Sequence, residues 1–152
     1  MADDVTVELT ADRVSATTVV DADPSAVFDF LRRPANHAVI SGDHTVRGAI
    51  KGPELLAPGS RFGMEMRIKL PYRVTSRVVE FEPDRLIAWC HFFGHRWRWE
   101  LEPAGPGRTS VRETFDLGTA KIPAALRVIG LPQGHRGNVA KSVRNVANHF
   151  RA

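Results

Sequence analysis

The order of the hydrophobic patterns constrains this chain most: a long succession of amphipathic strands is followed by one amphipathic helix at the C-terminal end. Residues 61–70 show the clearest strand pattern, with apolar side chains at every second position: Phe62, Met64, Met66, Ile68 and Leu70. Such alternation is typical of an antiparallel strand that buries one face. The helix predicted over residues 136–150 carries one apolar stripe: Val139, Val143, Val146 and Phe150.

The other elements follow from strand and turn signals. Asp23 and Pro24 predict the N-cap and first position of a short helix, and a second short helix is predicted from Pro34 to Ile40. The alternation slips between Val78 and Val79, which predicts a β-bulge. Seven strands are predicted, over residues 13–22, 44–50, 61–70, 72–82, 85–93, 95–101 and 109–115. The pattern therefore predicts an α+β fold in which a curved antiparallel sheet packs its apolar face against the C-terminal helix.

A sheet of this length must bury its apolar face against that single helix. A curved sheet and a straight helix cannot touch along their whole length, so the gap between them is a natural cavity for an apolar ligand. Core packing and ligand contact are compatible interpretations for the aromatic residues, because a cavity wall is also part of the core. The residues that we expect to bind a ligand are Thr18, Phe62, Met64, Met66, Ile68, Trp89, Trp97, Trp99, Glu113, Phe115 and Val143.

Length and composition indicate one globular unit. The 152 residues fit a single ligand-binding domain, of which residues 1–12 are expected to be flexible. The first residues lack the basic and apolar regions of a signal peptide, and no apolar run approaches the roughly 20 residues of a membrane helix. The single cysteine, Cys90, cannot form an internal disulfide. We therefore expect a cytoplasmic protein without integral membrane association, as a monomer or weak homodimer.

The chain is basic, with a formal net charge of +4. Seven arginines and Lys69 mostly alternate with apolar residues on predicted strands, which indicates a solvated sheet face: Arg61, Arg67, Arg73, Arg77, Arg96, Arg98 and Arg112. No nucleic-acid-binding motif accompanies the charge, so no nucleic-acid partner is expected. A protein partner on the basic outer face of the sheet is retained as a third hypothesis.

Glu113 is the only candidate catalytic residue, and a weak one. Strand alternation places it on the same face as Val111 and Phe115. A carboxyl group there would be desolvated, which raises its pKa and suits it to acid–base chemistry. The alternative is that a bulge turns Glu113 outward, or that it pairs with an arginine or an indole N–H.

The histidines are predicted to be peripheral. His91 and His95 flank the turn at Gly94, but a metal site needs three or four ligands and Cys90 lies on the opposite strand face, so no metal or cofactor is expected. They are interpreted as loop histidines near a cavity rim. Ligand contact is an alternative for His37 and His44, for which exposure is favoured. The simplest expectation for His135 and His149 is solvation.

Three segments resemble the START-related polyketide cyclase/dehydrase and lipid transport superfamily (SRPBCC). They are residues 21–31, which follow the first strand, residues 79–89, and residues 99–103 with the glycine loop and strand 109–115 that follow. The resemblance covers about residues 13 to 150 and implies the helix-grip fold.

The resemblance also bears on function. Members of the superfamily carry lipids, sterols, hormones or polyketides in a central cavity, and some cyclise polyketides, but no catalytic motif is shared. The first hypothesis is therefore a carrier or sensor of a hydrophobic small molecule. The alternative is a polyketide cyclase/dehydrase-type enzyme in which Glu113, helped by Thr18 or a rim histidine, promotes aldol closure or dehydration.

Overall fold

A computed structural model describes residues 5–42, 46–68, 70–90, 94–118 and 135–151. The strands are β1 Thr6–Leu9, β2 Arg13–Val20, β3 Val46–Lys51, β4 Arg61–Ile68, β5 Leu70–Glu82, β6 Leu86–Cys90, β7 Arg96–Pro103 and β8 Thr109–Asp116. The helices are α1 Pro24–Leu31, α2 His37–Ile40 and α3 Arg136–His149, and a 3-10 turn, Pro34–Asn36, precedes α2. The predicted α+β fold is confirmed.

All the strands join one antiparallel sheet in the order β1-β2-β8-β7-β6-β5-β4-β3. The sheet has eight strands among the described residues, one more than the sequence predicts. The additional strand, β1, pairs with β2 over residues 6–9, within the segment expected to be flexible. All four of its residues are exposed, so β1 lacks the one-sided burial that makes a strand visible in a sequence.

Local signals place the other elements well. Pro24 opens α1, and the backbone carbonyl of Asp23 accepts hydrogen bonds from the N–H groups of Ala26 and Val27. The predicted bulge in β5 is confirmed, because the pairing of β5 with β6 shifts between Val78 and Glu80. This irregularity adds twist where the sheet curves around the helix.

Helix α3 closes the concave face of the sheet. Val139, Val143 and Val146 are fully buried, and Phe150 packs partly buried against the same core. The helix lies mainly across β2 and β8. The sheet therefore grips one side of α3, as the apolar stripe predicts. None of the helices in the described ranges is long and apolar enough to cross a membrane.

The end of α2 is joined directly to α3. The Gly42 N–H donates to the hydroxyl of Ser142 over 3.1 Å, and the Asn145 amide donates to the carbonyl of Ile40 over 3.2 Å. A Cβ atom at position 42 would collide with the backbone carbonyl oxygen of Asn138. The close approach of the two segments therefore requires glycine at this position.

The outer face of the central strands carries an ion-pair network. Arg98 contacts Glu80 at 2.8 Å and Asp116 at 3.4 Å, and Glu80 also binds Arg96 at 2.8 Å. Partial burial alone would raise the pKa of Glu80, but the hydrogen bonds and charges of Arg98 and Arg96 outweigh it and lower that pKa. This part of the outer sheet is therefore close to neutral.

Candidate functional site

A cavity of about 190 Å³ lies between the concave face of the sheet and the helical wall formed by α2 and α3. Its lining comes from β3 to β8, the α2 region and the start of α3. The lining residues are His37, Ile40, Ser41, Val46, Phe62, Met64, Met66, Tyr72, Val74, Ser76, Trp89, His95, Trp97, Trp99, Glu113, His135 and Ser142.

Seven of the eleven sequence-predicted ligand contacts are among these residues: Phe62, Met64, Met66, Trp89, Trp97, Trp99 and Glu113. Thr18, Phe115 and Val143 are buried but do not line the cavity. Thr18 and Val143 therefore belong to the core. Phe115 packs against three rings that line the cavity, those of His95, Trp97 and His135. The side chain of Ile68 lies outside the described part of the structure, as do His44, His91, Phe92 and Phe93.

One end of the cavity is built around His37. Its imidazole ring stacks on Trp89, with centroids 4.5 Å apart and an angle of 19° between the planes. Phe62 meets both rings edge-on, at centroid distances of 5.5 Å and 5.9 Å. All three rings also line the cavity, so this cluster supplies aromatic surface to its wall.

His37 is 5% exposed, so the expectation of a surface histidine is wrong. Its Nε2 lies 2.9 Å from the carbonyl oxygen of Leu31, which only accepts, and this assigns the proton to Nε2. Burial lowers the pKa of His37 to about 4, against the opposing effect of the hydrogen bond to Leu31. The ring is therefore neutral at neutral pH, and Nδ1 is a hydrogen-bond acceptor.

The other end combines two histidines with an aromatic pair. Trp97 and Phe115 lie 4.8 Å apart, and His135 contacts both at 4.9 Å and 4.6 Å. His95 packs against Phe115 at 5.1 Å and is 6% exposed. His135 is half-buried, so its predicted solvation is also wrong. His149, by contrast, is exposed, although its ring stacks on Phe30.

Glu113 faces inward, as the alternation predicts, and is 5% exposed. Trp99 is its direct cross-strand partner, which places the two Cβ atoms about 5 Å apart. The indole N–H of Trp99 is buried and has no hydrogen-bond acceptor among the described residues. A buried N–H group without an acceptor is costly, so a ligand oxygen that reached it would gain affinity.

The remaining lining residues are not among the eleven predicted ligand contacts, although His95 was expected near the cavity rim and ligand contact was the alternative for His37. Val74 and Ser76 alternate on β5 as Met64 and Met66 do on β4, so alternation could have found them. Ser142 neighbours Val143 on α3, but a serine breaks the apolar stripe and gives no signal. His37 begins a four-residue helix, which is too short for any periodicity to indicate its buried side.

No group of three or more potential metal ligands occurs within the described residues. The three cavity histidines come from separate elements, and each packs against an aromatic ring. The site can hold an apolar ring, accept or donate hydrogen bonds at a few points, and place a carboxyl group beside the bound molecule.

Comparison with known proteins supports the fold and identifies the family. The family described as "Polyketide cyclase / dehydrase and lipid transport" matches residues 11–151. The uncharacterized protein Rv0088 of Mycobacterium tuberculosis is 45% identical over 109 residues, which are 71% of this chain and 49% of that protein. The chain thus spans about half the length of the curated relatives it matches.

Two similar solved structures share the fold at low identity. The Zhui aromatase/cyclase from Streptomyces sp. R1128 gives a TM-score of 0.67 at 17% identity, over 91% of this chain and 92% of that one. The di-domain ARO/CYC StfQ from the steffimycin biosynthetic pathway gives 0.60 at 17% identity, over 92% of this chain and 51% of that one.

Proposed function

Because the chain belongs to the polyketide cyclase/dehydrase and lipid transport family, we propose that it binds a hydrophobic small molecule, lipid-like or polycyclic, in the central cavity as a carrier or sensor. The observation that carries the proposal is the wall of that cavity, where Phe62, Trp89, Trp97 and Trp99 supply ring surface. Met64 and Met66 add flexible thioether side chains, which adapt to ligands of different shape.

The size of the cavity limits what it can enclose. Drug-sized ligands occupy pockets of roughly 300–1,000 Å³, whereas an apolar cavity of about 150 Å³ holds a molecule such as benzene. A volume of about 190 Å³ therefore suits one small ring system, or one end of a longer molecule.

The polar atoms in the wall favour a ligand that carries oxygen. The neutral His37 ring offers an acceptor, the Trp99 indole offers a donor, and Ser76 and Ser142 offer hydroxyl groups. A few polar groups in an apolar wall orient a ligand without making the site hydrophilic. Phenolic or keto-substituted rings match this distribution better than an unsubstituted hydrocarbon.

Native mass spectrometry of protein purified from its own cells tests this function. We expect a bound small molecule that is released on denaturation and that the same protein rebinds with a 1:1 stoichiometry. Absence of any adduct, together with no saturable binding of an anilinonaphthalene probe by the folded protein, would contradict the proposal.

A cyclase/dehydrase-type enzyme is the second candidate, favoured by the position of Glu113. Its carboxyl group is buried in the same cavity as His95 and lies opposite Trp99 on the sheet. A carboxylate there could remove a proton from a ligand carbon, and a neighbouring histidine could protonate a leaving oxygen. Two structural relatives are named aromatase/cyclases, which is consistent with this chemistry.

A further inference from the structure

The β4–β5 hairpin concentrates the positive charge of the chain. Residues 61–77 contain four arginines, one lysine and one glutamate, so their formal net charge of +4 equals that of the whole chain. Four exposed arginines, which we call the basic hairpin, point to the outer face of these strands: Arg61, Arg67, Arg73 and Arg77. Lys51 of β3 extends this face, because it pairs with Gly63 of β4.

The arginines of the basic hairpin lack the carboxylate partners that arginines on other strands have. Arg13, Arg96, Arg98 and Arg112 each contact a carboxylate, at distances of 2.8 to 3.7 Å. By contrast, no arginine of the basic hairpin makes an ion pair with a described residue. Among the described residues, this end of the sheet therefore carries positive charge that no carboxylate within ion-pair distance compensates.

The register of the hairpin places two of these positive charges next to each other. Arg61 and Arg77 lie directly opposite each other across β4 and β5. Like charges at directly paired positions destabilise a sheet. Arg73, by contrast, lies directly opposite Glu65. An anionic surface beside the hairpin would relieve the repulsion between Arg61 and Arg77.

The tip of the hairpin is apolar as well as basic. Leu70 is 75% exposed, more than any other large hydrophobic residue in the described ranges, and Tyr72 is 38% exposed. Tyr72 also lines the cavity, so the cavity reaches the surface beside this tip. Arg67 and Arg73 flank the two residues along the chain.

We propose that the tip of the basic hairpin docks end-on on the surface of an anionic lipid bilayer, with Leu70 and Tyr72 inserted among the lipids and Arg67 and Arg73 at the level of the headgroups. Basic residues near such a surface contribute attraction, and exposed apolar side chains add insertion energy. An acidic protein or nucleic acid would use the arginines but would leave Leu70 without a role. Docking would bring the open side of the cavity to the lipid phase, although the interaction itself does not depend on which molecule the cavity binds.

Vesicle sedimentation tests the proposal on the full chain. We expect binding to vesicles in which phosphatidylglycerol replaces about a third of the phosphatidylcholine, and little binding to pure phosphatidylcholine. Arg67→Glu should weaken binding about tenfold or more, Arg67→Gln less, and added salt should weaken it further. Arg144→Glu is the matched control, because Arg144 is exposed on α3, and its binding should stay close to wild type.

The Leu70→Ser variant distinguishes binding to a bilayer from binding to another acidic partner. We expect it to weaken vesicle binding while leaving the salt dependence intact. Equal binding to both kinds of vesicle, or an equal loss in Arg144→Glu, would overturn the proposal. So would normal vesicle binding by Leu70→Ser, or tighter binding of polyglutamate or duplex DNA than of vesicles, because the face would then serve an acidic macromolecule.

Discussion

His37 and Trp89 form a stacked pair at one end of the cavity, with ring centroids 4.5 Å apart. The pair joins the helical wall to the sheet wall, since His37 begins α2 and Trp89 lies on β6. The protonation state of one imidazole therefore affects both walls, and the first prediction concerns its pH dependence.

Stability should fall as the pH drops from about 6.5 to about 4. The unfolded chain protonates a histidine near pH 6.5, whereas burial lowers the folded pKa of His37 to about 4. Between these values the unfolded state binds more protons, so the free energy of unfolding rises with pH. The full effect is roughly 3 kcal/mol.

Urea unfolding of wild type and His37→Gln, measured across that pH window, checks this prediction. The glutamine amide can keep the hydrogen bond to the Leu31 carbonyl, but it does not titrate. His149→Gln, at an exposed histidine of α3, should retain the wild-type slope. A slope that survives in His37→Gln and disappears in His149→Gln would contradict the assignment.

Met66→Trp should reduce binding of an apolar fluorescent probe by about tenfold. Met66 lines the cavity from β4, and a larger ring there would fill a volume of only about 190 Å³. Thr75→Trp adds the same ring to the exposed side of β5 and is the control in the same titration. Equal affinity in both variants would show that the probe binds elsewhere.

Val143→Ala should lower stability by about 2 kcal/mol and leave ligand affinity unchanged. Val143 is fully buried on α3 but does not line the cavity, so its methyl groups serve only the core. Chemical unfolding and probe titration of the same samples measure both quantities. Arg144→Ala, one position along the helix and exposed, should change stability by less than about 0.5 kcal/mol.

The Glu113→Gln variant distinguishes the carrier hypothesis from the enzyme hypothesis. If the protein is a carrier, the variant should bind the ligand found by native mass spectrometry and release it chemically unchanged, as wild type does. If it is an enzyme, wild type should convert that ligand or its precursor, and the variant should lose turnover by about a hundredfold or more while still binding.

The control for this comparison is Glu102→Gln on the exposed face of β7. Liquid chromatography of the ligand after incubation gives the readout. Conversion that is equally fast in Glu113→Gln and wild type would remove Glu113 from the chemistry and favour binding alone.

The sequence predicts the sheet and its buried face better than it predicts the helical wall. Alternation identified the inward side of Phe62, Met64, Trp97 and Trp99, because a strand has only two faces and the pattern distinguishes them. The bulge at Val78 was found by the same reasoning, since one extra residue reverses the alternation.

Other features depend on tertiary packing that no local pattern records. His37 is buried because α2 folds onto the sheet, and His135 is half-buried because the first turn of α3 lies beside Trp97 and Phe115. The edge strand β1 is invisible for the opposite reason, because no face of it is buried.

The contact at Gly42 makes the helical wall of the cavity one mechanical unit. Because α2 abuts the carbonyl of Asn138 and holds the hydroxyl of Ser142, neither α2 nor the first turns of α3 can shift without the other. A side chain at position 42 would push the end of α2 and the start of α3 apart. Widening of the cavity on its helical side would therefore require α2 and the first turns of α3 to move together.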